Sequence, residues 1–267
     1  MKFLDRFFIV IFNLCLFIVA IATPALMITG SPQYYKAQFE KNGIYGGQMK
    51  YIGGDGYSRA NFTDEQLDSI VEHIVTYIFT DEKDSFALEM DDVTINGVKK
   101  DNVQIFGETA VKHMKDVKDL FLFFRILTVM FAVLLVLLTV YFIQRKEEIS
   151  GILFTYSLLF YAILLSLAAA LCIWTLIGAT ANGKTLTADA FLSQFWINCH
   201  YLFFPFQPEK VQGSFFNDTL TQILTLDFFM EAVLIVVCIT LAVLLAWFVF
   251  TIVSKRKTKK NRIDFKR

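Results

Sequence analysis

Four long apolar stretches constrain the fold of this chain more than any other feature of its sequence. A helix needs about 20 apolar residues to cross a bilayer core of about 30 Å. An apolar stretch adopts a helix in lipid, because a helix satisfies its own backbone hydrogen bonds. The chain is 55% hydrophobic and 19% charged, which is typical of membrane proteins. We predict a mainly α-helical membrane protein with four transmembrane helices, at about residues 7–28, 120–143, 152–178 and 228–253.

The first stretch follows Lys2 and Arg6, as the apolar part of a secretory signal peptide would. It is longer than the roughly 7–15 apolar residues of a signal peptide, and no clear Ala-x-Ala box ends it. We therefore expect a retained first transmembrane helix. Cleavage near residues 22–25, where small residues occur, is the alternative.

Lysine and arginine near the membrane ends indicate which side each end occupies, because positively charged ends stay in the cytoplasm. Arg145 and Lys146 lie between the second and third stretches, on the same side as Lys2 and Arg6 in a four-helix topology. The segment after the fourth stretch is strongly basic, through Lys255, Arg256, Lys257, Lys259, Lys260, Arg262, Lys266 and Arg267. We predict cytoplasmic N and C termini, and we interpret the basic tail as a topology determinant that contacts anionic lipids.

This orientation divides the chain into six segments. Residues 30–118 carry ten basic and fifteen acidic side chains, which fits the outer side of a membrane. The predicted segments are a first transmembrane helix (1–29), an extracytoplasmic domain (30–118), the second and third transmembrane helices with a short cytoplasmic loop (119–178), an extracytoplasmic interfacial loop (179–227), a fourth transmembrane helix (228–253) and a basic cytoplasmic tail (254–267).

Charge and cysteine usage argue against several other classes of protein. The 25 basic and 25 acidic residues cancel, so the overall charge does not favour a nucleic-acid partner. Three of the four cysteines fall inside the apolar stretches, and we predict no disulfide. The sequence has no CxxC, no HExxH and no glycine-rich phosphate loop, so we expect neither a metal nor a nucleotide cofactor.

Residues 30–118 carry the signals of a small α+β domain. Gly30-Ser31-Pro32 predicts the end of the first helix. Thr63 to Gln66 form a capping box before an apolar helical stripe, and Asn96-Gly97 predicts a hairpin turn between short strands. His73 lies off the apolar stripe, so we expect it to be a solvated or capping side chain. A set of tyrosines suits either the headgroup layer or a folded domain: Tyr34, Tyr35, Tyr45, Tyr51 and Tyr57.

The sequence after Phe106 leads into the second apolar stretch without a break, which predicts one helix that crosses the interface. His113 and Asp116 are three residues apart on this helix, so the carboxylate can hold and bias the imidazole. Glu108 with Lys112, and Lys112 with Asp116, have the spacing of ion pairs within a helix. The alternative is a solvated ion-pair face above a transmembrane helix.

The apolar sequence FLSQFWINCHYLFFPF at 191–206 is too short and too polar to cross the membrane. It predicts an interfacial or re-entrant loop between the third and fourth helices. His200 would then lie in low dielectric, where an ionisable residue indicates a function. An aromatic-anchored loop with an incidental histidine is the alternative, and Cys199 is a weaker candidate as a nucleophile.

These two outer-facing histidines and their surroundings resemble the bacterial lipoprotein intramolecular transacylases. Members of that family have about four spans and a Glu that precedes a His-Met-x-Asp-Val-Lys motif at the outer entrance of the second span. A second His, followed by aromatic residues, lies in their last outer loop. The corresponding residues here are Glu108, His113, Met114, Asp116, Val117, Lys118, His200, Phe203, Phe204 and Pro205.

The resemblance covers nearly the whole chain, but its specific part is about twenty residues. Two departures concern the ligand pocket. The family pattern has an aromatic residue before the second His, where this chain has Cys199. It also has a Trp where this chain has Phe215-Phe216.

The resemblance implies an isomerisation without a cofactor. An acyl chain moves from the glyceryl sn-2 oxygen of a diacylated lipoprotein to the α-amino group of its lipidated cysteine. It implies His113 as the base and His200 as its catalytic partner, although these two roles are exchangeable. The expected orienting or substrate-binding residues are Glu108, Asp116, Lys118, Arg125 and Asn198. We expect a monomer in the bacterial cell membrane, surrounded by lipids, with its site at the outer leaflet and no nucleic acid as partner.

Two other functions remain open from the sequence. One is a different membrane acyl chemistry, either a Cys199-dependent acyltransferase or a hydrolase that uses water. The other is a non-enzymatic four-span scaffold or receptor whose outer domain recruits a partner. Only the scaffold would keep its function after both His113 and His200 are replaced by alanine.

Overall fold

The computed structural model describes residues 2–51, 58–80, 84–181, 185–203 and 219–264. Four of its helices are long and apolar enough to cross a membrane, which confirms the predicted fold class. These candidate spans are Phe3–Thr29, Glu108–Gln144, Ile152–Ala179 and Leu226–Arg256. Several residues singled out above lie outside the described part of the chain: Tyr57, Phe204, Pro205, Phe215, Phe216, Lys266 and Arg267.

In the described part of the chain, two short strands lie between the second and third helices, and four lie between the third and fourth. The helices are α1 (Lys2–Thr29), α2 (Pro32–Lys41), α3 (Asp64–Phe79), α4 (Glu108–Gln144), α5 (Lys146–Ala179), α6 (Ala188–Phe203), α7 (Thr219–Ile223) and α8 (Leu226–Asp264). The strands are β1 (Gln48–Tyr51), β2 (Ser58–Asn61), β3 (Glu89–Met90), β4 (Val93–Ile95), β5 (Val98–Lys100) and β6 (Val103–Gln104).

The chain forms two compact units. The first unit comprises Met1–Ala25, Phe124–Thr185 and Val233–Arg267, and the second comprises Leu26–Phe123 and Leu186–Ala232. In the first unit few side chains of the second and third spans are buried, since only 6% of the most apolar window in each span is buried. Such helices need lipid around them.

Hydrogen bonds from polar side chains connect two of the apolar helices of the first unit. Asn13 is 1% exposed, and its amide donates to Ile9 O over 2.8 Å and accepts from Trp247 Nε1 over 3.1 Å. Thr240 Oγ1 donates to Ala20 O over 3.0 Å. These bonds join α1 to α8 in a setting where an unsatisfied polar group is costly.

The break between α1 and α2 is where the sequence predicted it. α1 ends at Thr29, and Ser31 is the N-cap of α2, with its hydroxyl oxygen accepting from Tyr34 N over 3.4 Å. Pro32 occupies the first turn of α2, where its missing N–H costs nothing. The capping box predicted before α3 is also present. Thr63 N donates to Gln66 Oε1 over 3.0 Å, and Gln66 N donates to Thr63 Oγ1 over 3.2 Å.

The strands of the second unit form two antiparallel sheets. The larger sheet has the order β1-β2-β4-β5, and β3 pairs with β6. β4 and β5 form the predicted hairpin, with Val93 opposite Lys100 and Ile95 opposite Val98. Asn96 and Gly97 have φ of 52° and 83°, the left-handed backbone that a two-residue hairpin turn requires.

The core of the second unit lies between α3 and the sheet. Leu67, Ile70 and Ile74 of α3 are at most 1% exposed and pack in one cluster with Phe86 and Phe106. Of the tyrosines after Pro32, Tyr35 belongs to this cluster, and Tyr34 and Tyr45 pack against it. Tyr35 is 3% exposed and donates to Thr29 O over 3.0 Å.

The expectation of a solvated His73 was wrong. Its side chain is 4% exposed, its Nε2 lies 3.0 Å from Phe86 O, and its ring lies 5.3 Å from that of Phe86. The predicted stripe contained only aliphatic residues and was therefore too narrow. The buried face of α3 also includes Tyr77, and His73 lies between it and Ile70 at helical spacing.

Candidate active site

The two predicted histidines come together in the second unit. His113 lies on α4 and His200 on α6, and both side chains are partly buried. Their ring centroids are 6.4 Å apart, with an angle of 22° between the ring planes. The spacing of the sequence alone did not establish this proximity, because the two residues belong to separate helices.

The core holds the segment of α4 that carries His113. α4 begins after Gly107, whose carbonyl accepts from Val111 N over 3.0 Å. Ala110 and Met114, one turn before and one residue after His113, are 0% and 4% exposed and belong to the buried cluster. Residues on this side of the helix are fixed by packing, so the backbone at His113 is held firmly.

The segment of α6 that carries His200 is held by polar and aromatic contacts. Thr187 Oγ1 accepts from Ala190 N over 3.1 Å in the first turn. Asn198 is 2% exposed, and its Oδ1 accepts from Gln194 Nε2 over 3.0 Å. The Trp196 ring stacks on that of Phe229 at 4.3 Å between centroids, with 27° between the planes.

His200 is bonded to its own helix. Its Nδ1 lies 3.0 Å from Trp196 O, and its ring meets that of Trp196 edge-on at 4.1 Å. Because a carbonyl oxygen only accepts, Nδ1 carries the proton in this bond. In the neutral ring Nε2 then keeps its lone pair, which makes it the proton-accepting nitrogen of this ring.

The surroundings of His200 favour that neutral form. Burial lowers the pKa of His200 from its ordinary value of 6.5, while the hydrogen bond to Trp196 O acts in the opposite direction. Desolvation disfavours the charged imidazolium, which is why the pKa decreases. His200 therefore has the properties of a base at neutral pH.

The surroundings of Cys199 disfavour the reactive form of its side chain. Its side chain is half-buried, and burial raises the pKa of the thiol above 9.0. The thiolate is the nucleophilic form of cysteine, and a raised pKa decreases its population at neutral pH. All four cysteines are free thiols.

The other predicted site residues lie in different surroundings. Glu108 is at the start of α4, its side chain is 90% exposed, and it lies 3.5 Å from Lys112 Nζ. Lys118 Nζ lies 4.8 Å from the ring centroid of Tyr77. Asp116 is partly buried one turn after His113, whereas Arg125 belongs to the first unit.

Two aromatic residues at the site were not predicted as part of it. Trp196 precedes His200 by four residues, and this helical spacing was a signal that identifies a neighbour on the same face. Phe229 had no such signal, because it reaches Trp196 from another helix. Among the described residues no group of three or more His, Cys, Asp or Glu is placed to hold a metal ion.

Comparison with known proteins identifies the family. A family model described as lipoprotein intramolecular transacylase Lit matches residues 8–229, a range that includes both histidines. No curated protein sequence matches the chain.

Solved structures of the membrane integral lipoprotein intramolecular transacylase Lit from Bacillus cereus have a similar fold. One is 14% identical, with a TM-score of 0.59 over 98% of this chain and 100% of that chain. A form with one histidine changed to alanine is 15% identical, with a TM-score of 0.59 over 98% and 97% of the two chains. A form with the same histidine changed to arginine is 14% identical, with a TM-score of 0.58 over 98% and 96%.

The identities are low, so these structures support the fold, whereas the family model covers most of the chain and decides the family. The four apolar helices of this chain agree with both comparisons. The chain belongs to the lipoprotein intramolecular transacylase family and is a membrane acyltransferase.

Proposed function

We propose that this enzyme moves the sn-2 acyl chain of a diacylglyceryl-cysteine lipoprotein to the α-amino group of that cysteine, giving an N-acylated lyso-lipoprotein. The observation that carries the proposal is the approach of His113 and His200 to 6.4 Å between ring centroids. This distance is somewhat less than twice the contact distance of about 3.5 Å between carbon atoms, so we infer that one reacting group reaches the edges of both rings rather than lying between their faces.

The reaction needs proton transfer and charge stabilisation. The amine nitrogen attacks the ester carbonyl carbon, the C–O bond to the glyceryl oxygen breaks, and the proton of the amine ends on that oxygen. Atoms balance without water or a cofactor. Because both groups belong to one molecule, their proximity supplies much of the rate acceleration.

We assign His200 as the base. We assign His113 as the group that donates a proton to the leaving oxygen. The sequence favoured the reverse assignment while leaving exchange open. The hydrogen bond from His200 Nδ1 to Trp196 O supports the exchange, since it leaves Nε2 as the acceptor. The lowered pKa of His200 supports it as well.

Further residues have supporting roles in this proposal. Asp116 orients His113 from the next turn of α4, and the buried Asn198 keeps α6 in position. Lys118 binds substrate oxygens at the entrance to the second span. Glu108 is proposed as an orienting group on the resemblance alone. Arg125 is proposed to hold lipid or peptide oxygens, and the alternative is a side chain that extends to the membrane surface.

The proposed topology has both termini in the cytoplasm and the histidines at the outer leaflet. It rests on the basic residues at the cytoplasmic ends, including Arg145 and the tail from Lys255 onward. Residues 30–118 and 179–227 are then extracytoplasmic, and the apolar α6 lies at the interface. Both acyl chains of the substrate stay in lipid while its head reacts, and the dry surroundings discourage hydrolysis. We propose that the enzyme acts as a monomer on diacylated bacterial lipoproteins.

An intramolecular transfer leaves the mass of the lipopeptide unchanged, so the test must read the structure of the product. We expect purified enzyme to convert a synthetic diacylglyceryl-cysteine lipopeptide into a product whose amide-linked chain is identified by tandem mass spectrometry. Free fatty acid would contradict the proposal, because it indicates hydrolysis.

A crossover control tests whether the transfer stays within one molecule. Two lipopeptides are mixed, one with deuterated chains and a heavier peptide, the other with ordinary chains. We expect each product to keep its own chains. Mixed products would show an intermolecular acyltransferase instead.

A further inference from the structure

A groove lies at one end of the third and fourth spans in the first unit, away from the residues used in catalysis. It is formed by α5 and α8 and has a volume of about 340 Å³. That volume falls within the roughly 300–1,000 Å³ of small-molecule sites. The lining residues are Phe154, Phe248, Ile252, Lys255 and Arg256.

Aromatic rings form the floor of this groove. Phe154 and Phe248 have ring centroids 5.8 Å apart and 29° between their planes, and Tyr161 meets Phe248 edge-on at 5.7 Å. The Tyr161 hydroxyl donates to Leu244 O over 3.3 Å, which joins α5 to α8 at this level. The floor is therefore an apolar surface that is held in place by contacts between α5 and α8.

Two cations lie at the rim of the groove. Lys255 and Arg256 are exposed, and Lys255 Nζ lies 4.2 Å from the ring centroid of Phe154. Among the side chains that the structure describes, no carboxylate forms a salt bridge with either residue. The contact with Phe154 holds one ammonium over the apolar floor, where it is available to an anion.

The position of the groove along the spans supplies the second argument. Phe154 is the third residue of the span Ile152–Ala179, and Arg256 is the last residue of the span Leu226–Arg256. Rim cations and apolar floor therefore lie at a membrane boundary, where lipid headgroups meet acyl chains. A free phosphate ion would bind the cations without contacting the apolar floor. A zwitterionic lipid would place its own cationic group beside Lys255 and Arg256.

We propose that this groove binds one anionic phospholipid, with its phosphate on Lys255 and Arg256 and the start of an acyl chain along Phe154 and Phe248. The site is separate from the histidines, so it stands whether or not the proposed acyl transfer is correct. It binds a lipid that is not a substrate.

The test measures binding of phosphatidylglycerol to the full-length enzyme by native mass spectrometry, with phosphatidylcholine as the zwitterionic probe. We expect the double variant K255Q/R256Q to bind phosphatidylglycerol about tenfold or more weakly than the unmodified chain. The matched control is K259Q/K260Q, which removes the same charge from the same basic tail and should bind nearly normally. Phe154→Leu, which removes the aromatic face but keeps an apolar side chain, should weaken binding to a smaller extent. Thermal unfolding checks that all variants are folded.

Three results would overturn the proposal. Equal losses in both double variants would show general attraction by the tail. Equal binding of phosphatidylcholine would show an apolar groove without selectivity for charge. Displacement of the lipid by millimolar inorganic phosphate would show a site for phosphate alone. Unchanged transacylase activity of K255Q/R256Q in detergent is expected, because neither residue belongs to the catalytic site.

Discussion

His200 has one ring nitrogen bonded to the carbonyl of Trp196, and this fixes which nitrogen is available for chemistry. The residue type was visible in the sequence, and the family resemblance implied His113 as its catalytic partner. The assignment of base and acid was not visible, because it depends on burial and on a backbone hydrogen bond. Both arise only when α6 is folded and packed.

The titration of His200 is a direct consequence of this environment. The lowered pKa means that the folded protein keeps His200 neutral between that pKa and 6.5, where an unfolded chain would bind a proton. The free energy of unfolding therefore decreases, through His200, as the pH falls from 6.5 to the pKa of the folded protein. Imidazole NMR of the folded protein should give a midpoint for His200 below 6.5. The chain has three histidines, so single substitutions assign the signals. A midpoint at or above 6.5 would contradict the assignment of His200 as the neutral base.

Replacing Cys199 should have little effect on the reaction. The raised pKa keeps its side chain as the thiol, which is a poor nucleophile. We expect Cys199→Ala to retain transacylase activity within a few-fold of the unmodified enzyme in the lipopeptide assay. A loss of activity in a folded variant would favour a thioester route, and trapping of an acyl-enzyme would confirm it.

His73 should matter for stability rather than for catalysis. Its imidazole contacts Phe86 O in the core, and His73→Ala leaves that carbonyl without this partner. We expect the free energy of unfolding to decrease by about 1–3 kcal/mol. Below its unfolding temperature the variant should form the amide product at the normal rate. Lost activity with normal stability would show that His73 takes part in the reaction.

At the scale of single elements, local signals predicted structure well. Ser31 with Pro32, Thr63 with Gln66, and Asn96 with Gly97 gave a helix break, a capped helix and a hairpin because each signal acts within a few residues. β1 and β2 were not predicted. β1, QMKY, alternates over only four residues, and β2, SRAN, does not alternate, so the sequence signal of both strands is weak. β2 is held by pairing with β4.

The capping box offers a test of one element. Thr63→Ala removes the hydroxyl that accepts from Gln66 N, so we expect the free energy of unfolding to decrease by about 1 kcal/mol. Thr63→Ser keeps the hydroxyl and is the matched control. Thermal unfolding of the two variants side by side measures the difference. Equal transition temperatures would show that α3 does not depend on this cap.

At the scale of the whole molecule, the apolar stretches and the charge pattern predicted a four-span membrane protein. They cannot predict which side chains of separate helices meet, such as Trp196 with Phe229. The proposed orientation is testable with reporter fusions in a bacterial host. Green fluorescent protein joined after residue 267 should fluoresce, and alkaline phosphatase inserted after residue 101, in the bend between β5 and β6, should be active. The reverse pattern would place the histidines in the cytoplasm and contradict the proposed topology.

The central claim is that His113 and His200 together carry the acyl transfer. The most direct measurement is the initial rate of amide formation on the lipopeptide by His113→Ala and by His200→Ala. Lys112→Ala and Ser193→Ala, which change exposed neighbours on the same two helices, are the matched controls. We predict that each histidine variant is at least about 100-fold slower while folded, since general acid or base catalysis contributes that much. The controls should stay near the normal rate. Normal rates in both histidine variants would contradict the account and make the two rings structural.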